Sequence, residues 1–144
     1  MPFDTYGSSP QAAWLAGSDW IRSLQVLDLR SNRLGDDGCA AIASSPNVRN
    51  LRELVLASNQ LSPRCVVSLA SSENLENLLT LDLRNNRLDA EAVEALASRG
   101  SLPSLRFIEL KNTGNARRIT GAIQADAPCW APCVSEQPHR YSTR

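Results

Sequence analysis

The chain has 144 residues, a length typical of one domain and sufficient to bury a hydrophobic core without disulfides or metals. Its 15 basic and 15 acidic residues leave no net charge, which argues against a constitutive nucleic-acid binder or a protein drawn to anionic membranes. Only 5% of the residues are aromatic, whereas 20 are leucine. Leucine used this heavily indicates a regular pattern.

The N-terminal segment, residues 1–23, lacks the basic and apolar regions of a secretory signal. No stretch of the chain approaches the length of an apolar membrane span, so we expect a cytoplasmic protein without membrane binding. Residues 12–23 hold Trp14, Leu15, Trp20 and Ile21, which predict a partial helix that caps the first repeat. The alternative is an adhesive edge, where the two tryptophans and the first strand bind a second copy of the chain as a homodimer.

Leucines then recur with a constant spacing of 27 residues. The units begin at Leu24, Leu51, Leu78 and Leu105, and the pattern L-x-x-L-x-L-x-x-N-x-L is intact in the first three. Alternation of leucine with outward residues predicts a short strand in each unit. The segment that follows, such as 36–44, has the length and the capping residues of a helix. Because one unit cannot bury its apolar face alone, the units must stack with parallel strands and with all helices on one side.

At these residues the sequence resembles the leucine-rich-repeat family, specifically its ribonuclease-inhibitor-like class. The resemblance covers roughly residues 12–125 and implies an α/β solenoid, a short right-handed horseshoe arc with strands on the concave face and helices on the convex face. We therefore expect an N-terminal segment over 1–23, a repeat domain over 24–127 and a disordered tail over 128–144. The fourth unit, which begins at 105, is degenerate and is predicted to cap the arc.

One asparagine in each intact unit lies where the chain turns out of the strand. An amide side chain both donates and accepts hydrogen bonds, so Asn32, Asn59 and Asn86 are predicted to satisfy backbone groups there as a continuous polar spine. Thr113 stands at this position in the fourth unit, and the spine is expected to stop before it.

The outward strand residues line the concave face, the usual interaction surface of such solenoids. We predict that a partner protein binds there through four columns of residues: Val26, Glu53, Thr80 and Phe107; Asp28, Val55, Asp82 and Glu109; Arg30, Ala57, Arg84 and Lys111; and, beyond the strands, Arg33, Gln60 and Arg87. The arginines favour a partner with acidic side chains, since guanidinium groups bind carboxylates bidentately. The alternative is that these charges only pair with one another and solvate the sheet.

Residues suited to catalysis are scarce. The single histidine, His139, lies in a segment without periodicity, and the common nucleotide-binding, metalloprotease and hydrolase motifs do not occur. We therefore expect no enzymatic activity, no cofactor and no bound metal.

The four cysteines are expected to be thiols, because a cytoplasmic protein lies in a reducing compartment. Cys39 and Cys65 fall at neighbouring positions of successive units, on the inward side of the helices, and are predicted to pack in the core. Cys129 and Cys133 with His139 supply at most three metal ligands at unfavourable spacing. The prolines and polar residues around them favour a disordered tail over a metal site.

These observations predict a non-catalytic protein–protein interaction module that does not bind nucleic acid. Two alternatives stay open. In the first alternative, the chain is a structural element that self-associates through the edge formed by Trp14 and Trp20. In the second, it is a fragment of a longer regulatory or effector protein.

Overall fold

The computed structural model describes residues 10–89, 91–92, 96, 102–111 and 133–135. Within these ranges the helices are α1 (Pro10–Gly17), α2 (Gly35–Ser44) and α3 (Pro63–Ala70), with 3-10 helices at Asp19–Ser23 and Pro46–Val48. The strands are β1 (Val26–Asp28), β2 (Glu53–Val55), β3 (Thr80–Asp82), β4 (Phe107–Glu109) and β5 (Cys133–Ser135). Residues 91, 92 and 96 are also helical.

Strands β1 to β5 form one parallel sheet in the order of the sequence. The register joins equivalent positions of successive units, since Leu27 pairs with Leu54, Leu54 with Leu81, and Leu81 with Ile108. Each of these steps is one 27-residue unit. The predicted repeat frame and the α/β leucine-rich-repeat fold are therefore confirmed.

The inward leucines of the strands and the apolar faces of the helices form a single core. Helix α2 packs against α1 on one side and against α3 on the other. Ile42 of α2, Leu54 of β2 and Leu69 of α3 are fully buried. Each such side chain stabilises the fold by about 1.5–3 kcal/mol through removal of apolar surface from water. Because neighbouring units supply the contacts, the core is continuous along the stack.

Helix α1 covers the first layer of this core. Ala12 and Ala16 face inward and are buried, whereas Trp14 is 69% exposed. In the 3-10 helix that follows, Ile21 is fully buried and Trp20 is 51% exposed. Small apolar residues therefore contact the first unit, and the two tryptophans lie on the outer surface.

Helix α3 begins through side-chain capping. The Ser62 hydroxyl accepts a hydrogen bond from the backbone N–H of Arg64 (3.4 Å), and Pro63 occupies the first turn, where its missing N–H costs nothing. Asp36 in the first turn of α2 accepts a hydrogen bond from the backbone N–H of Ser62 (2.8 Å). The start of one helix is thereby tied to the helix of the preceding unit.

Helix α2 depends on two glycines instead. Gly35 has a φ of +65°, a conformation that residues with a Cβ rarely adopt. At Gly38 an added Cβ would lie 2.8 Å from Cγ of Leu34, which is too close for two carbon atoms. The sequence 35–38 therefore permits a sharp turn and close packing at the start of α2.

Strand β5 lies in the segment predicted to be a disordered tail, and that prediction is wrong for residues 133–135. The strand pairs in parallel with β4, whose edge would otherwise present unpaired backbone groups. Val134 pairs with Ile108, a step of 26 residues and not of 27. The strand is thus one residue out of the repeat frame, which is why the pattern did not reveal it. The other predictions for 112–132 and 136–144 lie outside the described residues.

A disulfide joins Cys39 of α2 to Cys65 of α3, with the Cα atoms 5.8 Å apart. Both residues are fully buried, as predicted, but the expectation of two thiols is wrong. Stacking of successive units brings equivalent faces of α2 and α3 within the Cα separation at which a disulfide forms. Cys129 lies outside the described residues.

Candidate protein-binding surface

The asparagine column fixes the chain where it leaves the strands. Oδ1 of Asn59 accepts hydrogen bonds from the backbone N–H groups of Asn32 (2.9 Å) and Leu34 (3.2 Å). Oδ1 of Asn86 accepts from those of Asn59 (3.0 Å) and Leu61 (3.1 Å). The amide groups of Asn59 and Asn86 donate to backbone carbonyls of their own and the preceding unit. These bonds hold the turns after β1 and β2 in one conformation.

The same turns place side chains at the rim of the sheet. Ser31, Ser58 and Asn85 occupy one position in three successive units and have φ values of 58°, 56° and 56°. Two residues later, Arg33 and Gln60 again have positive φ, 51° and 59°. This repeated reversal leaves Arg33 and Gln60 exposed beyond the ends of β1 and β2.

The concave face, defined here by the three predicted strand columns, is only partly exposed. Five of its residues are buried, which disfavours their direct contact with a partner: Val55, Ala57, Thr80, Asp82 and Glu109. Three are partly buried, namely Arg30, Glu53 and Arg84. The exposed members are Val26, Asp28, Phe107 and Lys111.

Ion pairs join two arginines of the concave face to nearby carboxylates, of which Asp82 and Glu109 are buried. Nη2 of Arg30 lies 2.7 Å from Oδ2 of Asp28, and Nη2 of Arg84 lies 2.7 Å from Oδ2 of Asp82. Nε of Arg84 also lies 3.4 Å from Oε2 of Glu109 on the next strand. Each arginine thus folds back over the strand that it follows. Buried carboxylates need such partners, since an isolated buried charge is costly.

The three buried residues without charge are small side chains on the inner strands. Val55 pairs across the sheet with Asp28 and Asp82, and Thr80 pairs with Glu53 and Phe107. Paired neighbours on both sides shield these positions, since adjacent strands are only about 4.8 Å apart. The apolar notch that the sequence suggested at Val55 is therefore not open to solvent.

The ion pairs also shift the titration of their members. Burial raises the pKa of Asp28. Hydrogen bonds from the side chain and the backbone N–H of Arg30, together with the charge of Arg30, lower this pKa by more than burial raises it, so the net pKa lies below the usual value. The hydrogen bond to Asp28 raises the pKa of Arg30, and the hydrogen bond to Asp82 raises the pKa of Arg84. Both arginines stay charged, and their charges are offset within the chain.

A second set of cations lies beyond the C-terminal ends of the strands. We call Arg33, Gln60, Arg87 and Lys111 the exit rim, because they follow the C-terminal ends of the strands; all four are exposed. Within the part of the chain that the structure describes, the three cations of the exit rim form no ion pair. The exit rim therefore carries charge that other residues of the described region do not offset.

A second column of asparagine hydrogen bonds, not predicted from the sequence, lies at the opposite, N-terminal ends of the strands. Nδ2 of Asn50 donates to the carbonyl of Arg22 (2.6 Å), and one unit later Nδ2 of Asn77 donates to the carbonyl of Arg49 (2.8 Å). The matching runs S-x-N-x-x-N at 45–50 and 72–77 were the available signal. These polar columns lie outside the leucine pattern from which the repeat was predicted.

Three further predictions concern a bound metal, a membrane span and His139. The described residues contain no group of three His, Cys, Asp or Glu side chains placed to hold a metal ion. Among the helices described, none has the length and apolar character needed to cross a bilayer. His139 lies outside the described residues.

The parallel sheet, the stacked helices and the asparagine column define an α/β leucine-rich-repeat fold. In agreement, a family model described as leucine-rich repeat matches residues 21–43 and 74–97. No curated protein matches the chain by sequence. Among solved structures, the tropomodulin C-terminal domain of Caenorhabditis elegans is similar, with a TM-score of 0.56 and 17% identity. That alignment covers 80% of this chain and 75% of the other and shows a shared fold.

Proposed function

We propose that the chain is a non-catalytic protein–protein interaction module whose exit rim binds a partner with acidic side chains. Leucine-rich-repeat domains generally mediate contacts between proteins, and this chain has that fold. The observation that carries the proposal is the division of the cations into two sets. Arg30 and Arg84 are paired with carboxylates of the chain, whereas the cations of the exit rim are exposed.

This division refines the choice of contact residues. A partner's carboxylate would have to compete with Asp28 for Arg30 and with two carboxylates for Arg84. Arg33 and Arg87 present their guanidinium groups without such competition, and arginine is enriched among the residues that dominate interface energetics. The apolar side chains of Val26 and Phe107, 50% and 49% exposed, add contact area at the two ends of one strand column.

The test is affinity capture from host lysate with a rim variant, Arg33→Glu/Arg87→Glu. The matched control is Arg64→Glu/Arg106→Glu, which makes the same charge change at two exposed arginines outside the exit rim. We expect a partner that the native chain and the control retain and that the rim variant retains at least about tenfold less, because reversal of two charges turns attraction into repulsion. Circular dichroism of all three proteins verifies that the fold is intact.

Equal capture by the rim variant and the native chain would contradict binding through the exit rim. Equal loss in the control would show that overall charge and not position decides the interaction. If chemical cross-linking then maps the exit rim to a region of the captured partner without acidic residues, the proposed chemistry is contradicted.

A second candidate function is self-association, which the two exposed tryptophans favour. Trp14 and Trp20 are exposed on the N-terminal segment, which precedes β1, the first strand of the sheet. Exposed tryptophans are typical of a surface that binds another chain. Light scattering over a concentration series should then give a dimer mass, and Trp14→Ser/Trp20→Ser should give a monomer. The control is Val67→Ser, at another exposed apolar residue. A monomer mass for the native chain at all concentrations contradicts this candidate.

Three finer assignments stay proposals. The 27-residue unit, the asparagine column and the α-helices in successive units support the ribonuclease-inhibitor-like class. A cytoplasmic location remains the expectation from the sequence, although the Cys39–Cys65 disulfide argues against it, since such bonds persist in oxidising compartments. The origin of the chain as a fragment of a longer regulatory or effector protein is the third.

A further inference from the structure

A polar cleft opens at the N-terminal ends of the strands, whereas the exit rim lies at their C-terminal ends. We call it the start-edge cleft. Its volume is about 280 Å³, and its six lining residues are all exposed: Arg22, Ser23, Gln25, Asn50, Arg52 and Asn77. They come from the N-terminal segment and the first two repeat units, so the stacking of these parts creates the cleft.

The backbone around the cleft is held by hydrogen bonds. The carbonyl of Gln25 accepts from the N–H groups of Arg52 (2.8 Å) and Glu53 (3.0 Å). The carbonyl of Arg52 accepts in turn from the N–H groups of Leu79 (2.7 Å) and Thr80 (3.0 Å). The side chains of Asn50 and Asn77 are anchored to carbonyls of the preceding unit, as described above. The floor of the cleft is therefore formed before any ligand binds, which lowers the cost of binding.

The lining carries positive charge that no lining carboxylate offsets. Nε of Arg22 donates to Oδ1 of Asn47 (2.7 Å), which orients its guanidinium group. Nη2 of Arg22 lies 3.6 Å from the well-exposed carboxylate of Asp19, an ion pair that water screens strongly. Arg52 forms no hydrogen bond through its side chain and no ion pair with any residue in the described ranges. Its guanidinium donors are available to a ligand.

The geometry points to the start-edge cleft as a binding site for a phosphate group. Two guanidinium groups and the amide donors of Gln25, Asn50 and Asn77 match an anion with two negative charges and several terminal oxygens. A carboxylate has only two acceptor oxygens and one negative charge, so it would use fewer of these donors than a phosphate group. The phosphate comes either from inorganic phosphate or from a phosphorylated side chain of another protein. This site is separate from the exit rim and does not depend on the function proposed above.

The site is tested by NMR titration of the native chain with inorganic phosphate, against sodium chloride at the same ionic strength. We expect saturable shifts of the backbone amides of Gln25, Asn50 and Arg52, with a Kd on the order of 1 mM for an exposed site with a few charge-assisted hydrogen bonds. Arg52→Gln should weaken binding at least about tenfold, and Arg52→Lys, which keeps the charge but loses the bidentate geometry, should weaken it less. The matched control is Arg106→Gln, at the exposed arginine two units later in the same column.

A parallel titration with N-acetyl-phosphoserine amide distinguishes the two sources. Tighter binding of phosphoserine than of inorganic phosphate identifies a phosphorylated side chain as the ligand, and equal or weaker binding identifies the free ion. The inference is overturned by the absence of saturable shifts with both probes, by shifts that sodium chloride reproduces, or by equal weakening in Arg106→Gln.

Discussion

At the scale of single residues, position within the asparagine column decides how much each side chain stabilises the fold. Asn59 is fully buried, and its amide accepts two and donates two hydrogen bonds to the backbone. Asn32, at the start of the column, is exposed and donates one bond, to the carbonyl of Arg30. The repeat pattern alone gives these two asparagines the same role.

Asn59→Ala should therefore destabilise the protein far more than Asn32→Ala. Loss of the Asn59 amide leaves two backbone N–H groups without their acceptor, and we expect the free energy of unfolding to fall by about 3 kcal/mol. For Asn32→Ala we expect a loss of at most about 1 kcal/mol, since water reaches the exposed carbonyl. Urea unfolding of the two variants and the native chain checks the difference. Equal losses would contradict a buried ladder that begins at Asn59.

The Asp28–Arg30 ion pair makes part of the stability dependent on pH. The folded protein lowers the pKa of Asp28, so the pair stabilises the fold above the ordinary Asp pKa, and the stabilisation is lost as pH falls through the folded value. Because the pair is partly exposed, we expect Asp28→Asn to cost only about 0.5 kcal/mol near neutral pH and nothing near about pH 2. Urea unfolding over this range measures the difference.

The control for this measurement is Glu73→Gln, which removes an exposed carboxylate that has no arginine partner in the described region. It separates loss of the pair from the general effect of one negative charge fewer. A cost of Asp28→Asn that is the same at neutral and at acid pH would contradict the account.

At the scale of elements, the sequence predicted β1 to β4 and helix α2 well, because their leucine spacing reports burial directly. Strand β5 could not be found in this way, since its register with β4 is one residue out of the frame. The bond between Cys39 and Cys65 was missed for a different reason. Spacing placed both residues in the core, but only the separation of α2 and α3 shows that their backbones are close enough to bridge.

The Cys39–Cys65 disulfide should add to stability by closing a loop in the unfolded chain. The two cysteines are 26 residues apart, and the chain-entropy account of such a loop gives a contribution of about 3 kcal/mol. We expect reductant to lower the free energy of unfolding of the native chain by this amount and to leave Cys39→Ala/Cys65→Ala unaffected. Urea unfolding with and without dithiothreitol tests this. An unchanged midpoint for the native chain would mean that the bond does not restrain the unfolded chain.

At the scale of the whole molecule, the charged residues of one sheet face divide into a structural and an exposed set. The repeat frame predicted which residues point outward, such as Asp82 and Arg84, but not that Asp82 would be buried. Arg84 pairs with Asp82 and also lies 3.4 Å from Glu109 on the next strand, and column spacing contains no information on such contacts across the sheet. The repeat frame therefore predicted the strand columns and did not predict which of their side chains are buried.

The most direct measurement of this division compares the free energies of unfolding of Arg84→Gln and Arg87→Gln. We expect the free energy of unfolding to fall by about 3 kcal/mol in Arg84→Gln, because two buried carboxylates lose their cation. We expect a change within about 0.5 kcal/mol for Arg87→Gln, whose side chain is exposed and forms no ion pair in the described region. Similar values for the two variants would contradict the claim that Arg84 maintains the fold while Arg87 is available to a partner.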